Sequence, residues 1–204
     1  MPKNSACLVI SPPLVGKKEF IFKILADSLN NKEPILFVTT DSSPEKLKEE
    51  MSQEKFSFSP SFIEFIDCYS YNSGNIGVKD TNDIKRVSGP LAFNEISIAI
   101  LDEERKFLKK DTDSEHLILF NSLSTLLMYS SAEAVSRFLQ ILIAKVKNLN
   151  GSIVFTLEEG MHDEKAIVAL EHLMDVIIRL KAEKEKTFFT ASGIEGFGKW
   201  TLLQ

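Results

Sequence analysis

The fold is decided by one stretch of the chain, which runs from Leu117 to Leu180 and reads LILFNSLSTLLMYSSAEAVSRFLQILIAKVKNLNGSIVFTLEEGMHDEKAIVALEHLMDVIIRL. It contains two apolar runs of strand length, Leu117–Asn121 and Ser152–Leu157. Both are continuous and do not alternate with polar residues, which is typical of strands covered on both faces in a parallel sheet. Between them, Ala132–Leu149 has apolar side chains at helical spacing and stops at Asn150-Gly151, a helix C-terminal signal. Strand, helix and strand in this order indicate an α/β fold.

The same alternation extends over most of the chain. Three further strands are predicted at Cys7–Ile10, Ile35–Thr40 and Phe62–Tyr69, and four further helices at Lys17–Leu29, Ser43–Met51, Leu91–Leu108 and Asp163–Met174. We therefore predict a mainly parallel central sheet with helices on both faces. The residues that we expect to be buried in this sheet are Val9, Leu36, Phe37, Ile66, Leu119 and Phe155.

The C-terminal end has a different pattern. Val176–Leu180, Thr187–Ala191 and Trp200–Leu203 are short, lie close together and are separated by polar turns. No helical pattern intervenes, so we predict a short antiparallel meander at the edge of the sheet. The stretch Ser70–Pro90 is polar and contains three of the nine glycines, which predicts a mobile surface loop.

The composition is that of one soluble globular domain. The 204 residues are 44% hydrophobic and 26% charged, and we expect a single domain over residues 1–204. A net charge of −5 gives no general attraction to nucleic acid or anionic lipid. No apolar run approaches the ~18 residues that span a membrane, and the N-terminal run is too short for a signal peptide, so we expect a cytoplasmic protein. Cys7 and Cys68 lie in apolar runs, which predicts buried thiols and no disulfide.

A degenerate phosphate-binding loop follows the first predicted strand. The sequence SPPLVGKKEF, residues 11–20, places Gly16 and Lys17 between a strand and a helix, where a P-loop reads G-x-x-x-x-G-K-[ST]. Ser11 stands at the first glycine, and the intervening residues leave little freedom for backbone amides to turn toward a phosphate. Lys18 stands at the hydroxyl position, where an ammonium cannot ligate Mg²⁺. Without wider context, these residues favour a purely structural turn.

A family resemblance adds that context. Asn121–Leu127, Ala132–Lys147 and Phe155–Asp163 resemble the archaeal KaiC-like ATPases of the RecA superfamily, which carry Asp-Ser-Leu-Ser-Thr-Leu-Leu, an alanine-, valine- and arginine-bearing helix, and Phe-Thr-Leu-Glu-Glu-Gly followed by His-Asp. The stretch FIEFIDCYSY, residues 62–71, is similar to the third strand of that family. The resemblance implies a RecA-like three-layer sandwich.

The same resemblance implies that the hydrolytic residues have been lost. The Walker B carboxylate of the family falls on Asn121, and a neutral amide holds hydrated Mg²⁺ poorly. Active relatives place an acidic pair after the second strand, where this chain has Thr39 and Thr40, with Asp41 next. Threonine is not a general base near neutral pH. The resemblance therefore implies a chain that does not turn over ATP, with no metal site and with ATP binding absent or weak.

Several side chains admit both a functional and a structural interpretation. Lys17 and Lys18 could bind an anion at a helix N-terminus, or could simply begin an exposed helix. Glu158 and Glu159 end the fifth predicted strand and could contact a nucleotide, a neighbouring subunit or a partner. Alternatively, Glu159 could only favour the following helix N-terminus. The three histidines, His116, His162 and His172, are predicted to be boundary, loop and helix-surface residues respectively.

Three functions remain open from the sequence. The first is a non-catalytic regulatory or scaffolding protein that docks on an active RecA/KaiC-like paralogue, or on itself as an oligomer. The second is a residual ATP binder or slow ATPase in which Lys18 supplies positive charge in place of Mg²⁺. The third is a DNA-repair accessory of the recombinase type, which the negative net charge and the lack of a glycine-rich basic loop after the fourth strand disfavour.

Overall fold

The computed structural model describes residues 2–13, 15–53, 63–71, 73–74, 77, 79–110, 115–184, 186–195 and 198–203, and the following statements concern these residues. The strands are β1 Ala6–Ser11, β2 Ile35–Thr39, β3 Ile63–Asp67, β4 Ile84–Arg86, β5 His116–Asn121, β6 Gly151–Glu158, β7 Val176–Glu183, β8 Lys186–Ser192 and β9 Thr201–Leu202. The helices are α1 Lys17–Asn30, α2 Pro44–Gln53, α3 Phe93–Lys110, α4 Leu123–Tyr129, α5 Ala132–Asn148 and α6 Glu164–Glu171.

All of these strands belong to one sheet, in the order β4-β3-β2-β5-β6-β1-β7-β8-β9. Across the sheet, each neighbouring pair in the series β4-β3-β2-β5-β6-β1-β7 is parallel. β8 and β9 continue the sheet in antiparallel pairing. The predicted mainly parallel sheet with a short antiparallel C-terminal edge is confirmed.

Helices cover both faces of the sheet because successive strand residues point to opposite sides. In β1, Leu8 and Ile10 face the layer that contains α3 and α5, whereas Cys7 and Val9 face the layer that contains α1 and α2. The six residues predicted to be buried are each no more than 1% exposed: Val9, Leu36, Phe37, Ile66, Leu119 and Phe155. Each such side chain contributes roughly 1.5–3 kcal/mol on full burial, so these two layers are the main source of stability.

Two elements were not predicted. β4 lies inside the stretch Ser70–Pro90, so the prediction of a continuous surface loop is wrong for Ile84–Arg86; residues 72, 75, 76 and 78 of this stretch lie outside the described residues. α4 follows β5 directly, and the Ser122 hydroxyl caps it by accepting the Ser124 N–H at 3.0 Å. Such short elements depend on long-range pairing and caps more than on periodicity.

Some predicted boundaries also move. Phe62, the predicted start of the third strand, lies outside the described residues. The last predicted helix is shorter, because Asp163 is its N-cap and α6 ends at Glu171. The last predicted strand contracts to the two residues of β9.

His116 is a boundary residue, as predicted, because it is the first residue of β5, and it is also buried. It begins β5 at 2% exposure, and its Nε2 lies 2.7 Å from Oε1 of the fully buried Glu104 on α3. Gly151 lies directly beside this pair, and a Cβ there would come within 2.6 Å of His116 Nε2. This polar pair is buried at the amino edge of the sheet, away from the loops that follow the strands.

The two cysteines are buried free thiols, as predicted. They lie in different layers, Cys7 beneath α1 and Cys68 on the opposite face. Burial raises the pKa of the Cys7 thiol to about 12, so that thiol is inert at neutral pH. Among the described helices, none is long and apolar enough to cross a bilayer.

Candidate functional site

The loop between β1 and α1 is held by a hydrogen bond within its own backbone and by a contact with β8. Gly16 adopts a left-handed conformation with φ of 57° and caps α1. The Val15 N–H donates to the Pro12 carbonyl at 3.2 Å, so this amide is already used within the loop. Thr187 of β8 lies against Gly16, where a Cβ would come within 2.5 Å of the Thr187 methyl carbon. Leu14, expected to obstruct a phosphate cradle together with Val15, lies outside the described residues.

Lys17 forms an ion pair within the protein. Its Nζ donates to Glu158 Oε1 at 2.8 Å, and both side chains are largely shielded from solvent, at 20% and 28% exposure. Glu158 is the last residue of β6 and lies opposite Ser11 at the end of β1. Its backbone N–H donates to Ser124 Oγ at 2.8 Å, which fixes the carboxylate near Lys17. The Lys17 ammonium is thus paired with a carboxylate of the protein itself.

Asn121 has both ends of its side-chain amide engaged. Nδ2 donates to the two carboxylate oxygens of Asp41 at 3.0 and 3.2 Å, and Oδ1 accepts from Thr156 Oγ1 at 2.8 Å. Thr156 lies on β6, next to β5, so the register of these strands determines the contact. These bonds orient Asn121 as a structural bridge between Asp41 and β6.

A second pair of hydrogen bonds joins the ends of β2 and β5. The Thr40 hydroxyl donates to the Ser122 carbonyl at 2.9 Å and accepts from the Ser122 N–H at 2.8 Å. The neighbouring Thr39 hydroxyl donates to the Ser42 carbonyl at 2.7 Å. Both threonine hydroxyls thus donate to backbone carbonyls.

Asp41 is an ionisable group at this edge whose pKa the protein shifts. The surrounding protein displaces water from its carboxyl and raises the pKa of Asp41, although part of the residue remains exposed. The negative charge of Glu158 raises this pKa further, whereas Lys17 and the hydrogen bond from Asn121 oppose the rise. Lys17, Asp41, Asn121 and Glu158 therefore form one electrostatically connected cluster, which we call the carboxyl-edge cluster.

The other two predicted residues lie outside this cluster. Lys18 is directed to α2, where its Nζ lies 3.3 Å from Glu50 Oε2, and it also lies 5.5 Å from the centre of the Phe22 ring. Glu159 lies one residue beyond β6, with its nearest described cation, Arg179, 4.0 Å away. The structure thus brings together Gly16, Lys17, Asn121 and Glu158, and it separates Lys18 and Glu159 from them.

Sequence reasoning missed two polar residues that organise the cluster. Thr156 interrupts the apolar run of β6, and Ser124 lies in the first turn of α4. A hydroxyl inside a continuous buried strand needs a partner, so Thr156 carried a usable signal. Ser124 had none, because its role depends on how α4 packs against β6.

The donor set does not fit a hydrated Mg²⁺ as it stands. Magnesium takes free carboxylate and hydroxyl oxygens, whereas Asp41 accepts from Asn121 and Glu158 accepts from Lys17. Among the described residues, no group of three histidine, cysteine, aspartate or glutamate side chains is arranged to hold a metal ion.

Comparison with known proteins identifies a family and a fold. Residues 4–180 match the model of a family of unknown function (DUF7504). No curated protein matches the sequence. The matches therefore leave the chemistry of the site to be argued from its own residues.

Three solved structures with the same fold come from archaea. An uncharacterized protein of Pyrococcus horikoshii, solved in complex with an unknown peptide, aligns with a TM-score of 0.73 and 13% identity over 94% of this chain and 84% of that one. A KaiC-like protein of Pyrococcus horikoshii OT3 aligns with a TM-score of 0.66 and 14% identity over 100% and 84%. The flagellar accessory protein FlaH of Methanocaldococcus jannaschii aligns with a TM-score of 0.62 and 17% identity over 94% and 78%. At these identities the similarity establishes the RecA-like, KaiC-like fold.

Proposed function

We propose that this chain, which belongs to the DUF7504 family of unknown function, is a non-catalytic RecA/KaiC-like protein that acts as a regulatory or scaffolding partner of another protein. The observation that carries the proposal is the ion pair between Lys17 and Glu158, 2.8 Å long at the degenerate phosphate loop. In this arrangement the positive charge that a nucleotide needs is already neutralised by a side chain of the protein.

The neighbouring contacts support the same conclusion. Phosphoryl transfer depends almost entirely on a metal ion, on positioning and on a group that orients the nucleophile. Asn121 is held between Asp41 and Thr156, and the hydroxyls of Thr39 and Thr40 donate to backbone carbonyls. Restoring hydrolysis would require several of these bonds to break together.

A protein partner fits this chain better than nucleic acid. The net charge is −5, which opposes a general attraction to a phosphate backbone. One structural neighbour was solved with an unknown peptide bound, and this observation favours a fold that presents surfaces to polypeptides. The partner that we propose is an active RecA/KaiC-like paralogue or a second copy of this chain.

The activity test is an ATP hydrolysis assay with Mg²⁺ present. We expect phosphate release indistinguishable from that of a buffer blank, because neither the metal ligands nor the base is in place. A turnover of even ~0.01 per second, abolished by Lys17→Ala, would contradict the proposal, although it would be slow for an enzyme.

Calorimetric titration with ATP tests binding separately from turnover. We expect a dissociation constant weaker than ~0.1 mM, worth only about 5 kcal/mol, and no change on adding EDTA. Any residual binding should weaken with added salt, because it would rest on ammonium groups near the surface. Tight, Mg²⁺-dependent binding would instead favour the second candidate, a residual ATP binder in which Asp41 or Glu158 turns from its present contact toward the metal.

A further inference from the structure

The outer surface of α3 and α5 contains an apolar groove that the fold leaves uncovered. Both helices bury one face against the sheet, with Ile96 and Ile100 of α3 and Leu139 and Leu142 of α5 pointing inward. Their opposite faces expose Ile98 at 60% and Ile141 at 54%. Isolated exposed isoleucines are common on proteins, but these two line the same groove.

The groove is lined in part by aromatic rings and has the volume of a ligand site. The rings of Phe93 and Phe138 form part of its lining and stack with their centres 4.6 Å apart. Its volume is about 700 Å³, which lies within the range of concave ligand sites, roughly 300–1,000 Å³. A groove between two helices is the shape that accepts a third helix through its apolar face.

The two charged side chains that line the groove are both positive. Arg137 and Lys145 line it, and both are exposed, whereas no carboxylate is among its lining residues within the described part of the chain. Asp102, one turn beyond Ile98 on α3, pairs with Arg105 at 3.2 Å. Glu133, one turn before Arg137, lies outside the lining. Glu133 interacts with the Arg137 guanidinium from outside the groove, so the cations are confined to the lining itself.

The spacing of these residues specifies what would complement them. Arg137, Ile141 and Lys145 lie four residues apart, so they form a single row along α5. The row extends for about 12 Å at 1.5 Å per residue, with the apolar residue between the two cations. A partner helix with a central apolar residue and an acidic residue one turn to either side would match both the groove and its charges.

We propose that the groove between α3 and α5 is the docking site for an amphipathic helix of a partner protein, with an apolar centre flanked by acidic residues. This inference deepens the proposed partner role and rests on it. Because the groove and the carboxyl-edge cluster share no residue, a failure of the docking test would leave the ATP tests unaffected, and the reverse also holds.

The test uses the full chain and two synthetic helical peptides. Each peptide carries a leucine at its centre; one has glutamate four residues before and after it, and the other has lysine at those positions. We expect fluorescence anisotropy to show at least tenfold tighter binding of the glutamate peptide, with the difference shrinking as salt is added. Equal binding of the two peptides, or no binding of either, would overturn the proposal.

Three variants locate the binding surface. Ile141→Asp should weaken binding of the glutamate peptide at least tenfold. Val168→Asp, at a comparably exposed position on α6, should leave this affinity unchanged. The double variant Arg137→Glu with Lys145→Glu should prefer the lysine peptide, and a gain of this kind cannot come from misfolding. If the preference does not reverse, or if the control weakens binding equally, the groove is not the site.

A second copy of the chain is the competing occupant. Sedimentation equilibrium of the wild type and of Ile98→Asp distinguishes it. We expect the same mass for both, because the proposed occupant is a different protein. An oligomer that Ile98→Asp dissociates would assign the groove to self-association and would overturn the proposal.

Discussion

Lys17 makes a charged contact that a bound anion would have to compete with. Its ammonium donates to Glu158 at 2.8 Å, and a hydrogen bond between charged groups contributes about 1.5–3 kcal/mol when it forms. An incoming phosphate would first have to displace this carboxylate.

Removing the charge of Glu158 should expose this site. We predict that Glu158→Gln increases the affinity for pyrophosphate about threefold to tenfold, which corresponds to roughly 0.7–1.4 kcal/mol, because the ammonium of Lys17 is then uncompensated. The measurement is the shift in thermal midpoint as pyrophosphate is titrated. Glu159→Gln is the matched control, since Glu159 is the next residue and lies 4.0 Å from Arg179. Equal shifts in both variants would show that Lys17 is not the anion-binding group.

Asp41 gives a pH-dependent prediction. Its pKa is raised in the folded protein, chiefly by loss of water around the carboxyl. A carboxyl whose folded pKa exceeds its unfolded value favours the folded state in acid, and this contribution disappears as pH rises through the folded pKa. At neutral pH the charged form of Asp41 is thus mildly unfavourable.

We therefore predict that Asp41→Asn increases the free energy of unfolding at pH 7 by at most about 1 kcal/mol. The asparagine carbonyl can still accept from Asn121. At about pH 3 and below, where the carboxyl is largely protonated in both states, the two proteins should differ little. Urea unfolding at the two pH values measures this, and a variant that is less stable at pH 7 would refute the assignment.

At the scale of secondary structure, one buried ion pair holds the edge strand β4. Arg86 and Asp67 are 1% and 0% exposed, and Arg86 Nε lies 3.2 Å from Asp67 Oδ2. Arg86 also contacts Glu45 of α2 and the Lys79 carbonyl. Asp67 in turn accepts the N–H groups of Tyr69 and Ser70, both at 2.9 Å. The pair thus joins β3, β4 and α2.

Breaking this pair should be costly. We predict that Arg86→Leu destabilises the protein by about 3–5 kcal/mol, since it leaves a buried carboxylate without its partner. Lys85→Leu on the same strand should cost less than about 1 kcal/mol, because its ion pair with Asp80 is half exposed. Urea denaturation compares the two variants. Similar losses in both would mean that the strand depends on charge in general and not on the buried pair.

β4 and the other strands differ in how far the sequence could predict them. β1, β2, β3, β5 and β6 are long apolar runs, so local composition is enough to identify them. β4 is three residues with two charges, IKR, and its long-range contacts are the pairing with β3 and the ion pair of Arg86 with Asp67. Local periodicity cannot predict such long-range contacts.

In the candidate site, the sequence could identify residues but not the contacts that they make. Gly16, Lys17, Asn121 and Glu158 could be identified because each has a fixed place relative to a strand end. That Lys17 meets Glu158 depends on the alignment of β1 with β6. That Lys18 turns to Glu50 depends on where α2 packs. Both are properties of the assembled sheet, which the chain order alone does not specify.

At the scale of the whole molecule, the C-terminal edge is tied to the loop that begins α1. Thr187 of β8 lies against Gly16, and the Phe189 ring lies 6.0 Å from that of Phe20 on α1. β7 pairs with β1 on one side and with β8 on the other. The antiparallel edge therefore shares its packing with the centre of the sheet.

This arrangement predicts that the chain unfolds as one cooperative unit, as expected for a single domain. Trp200 is the only tryptophan, and Lys181 of β7 lies over its ring at 4.3 Å, so its fluorescence reports on the C-terminal edge. Far-ultraviolet circular dichroism reports on all helices and strands. We expect the two signals to change at the same urea concentration, because coincident transitions are the signature of two-state unfolding. A fluorescence change that precedes the loss of helix would mean that β8 and β9 open separately.

Thr187→Gly, which removes the contact with Gly16, is tested in the same way. If the two transitions also coincide in this variant, pairing with β7 alone is sufficient to hold the edge.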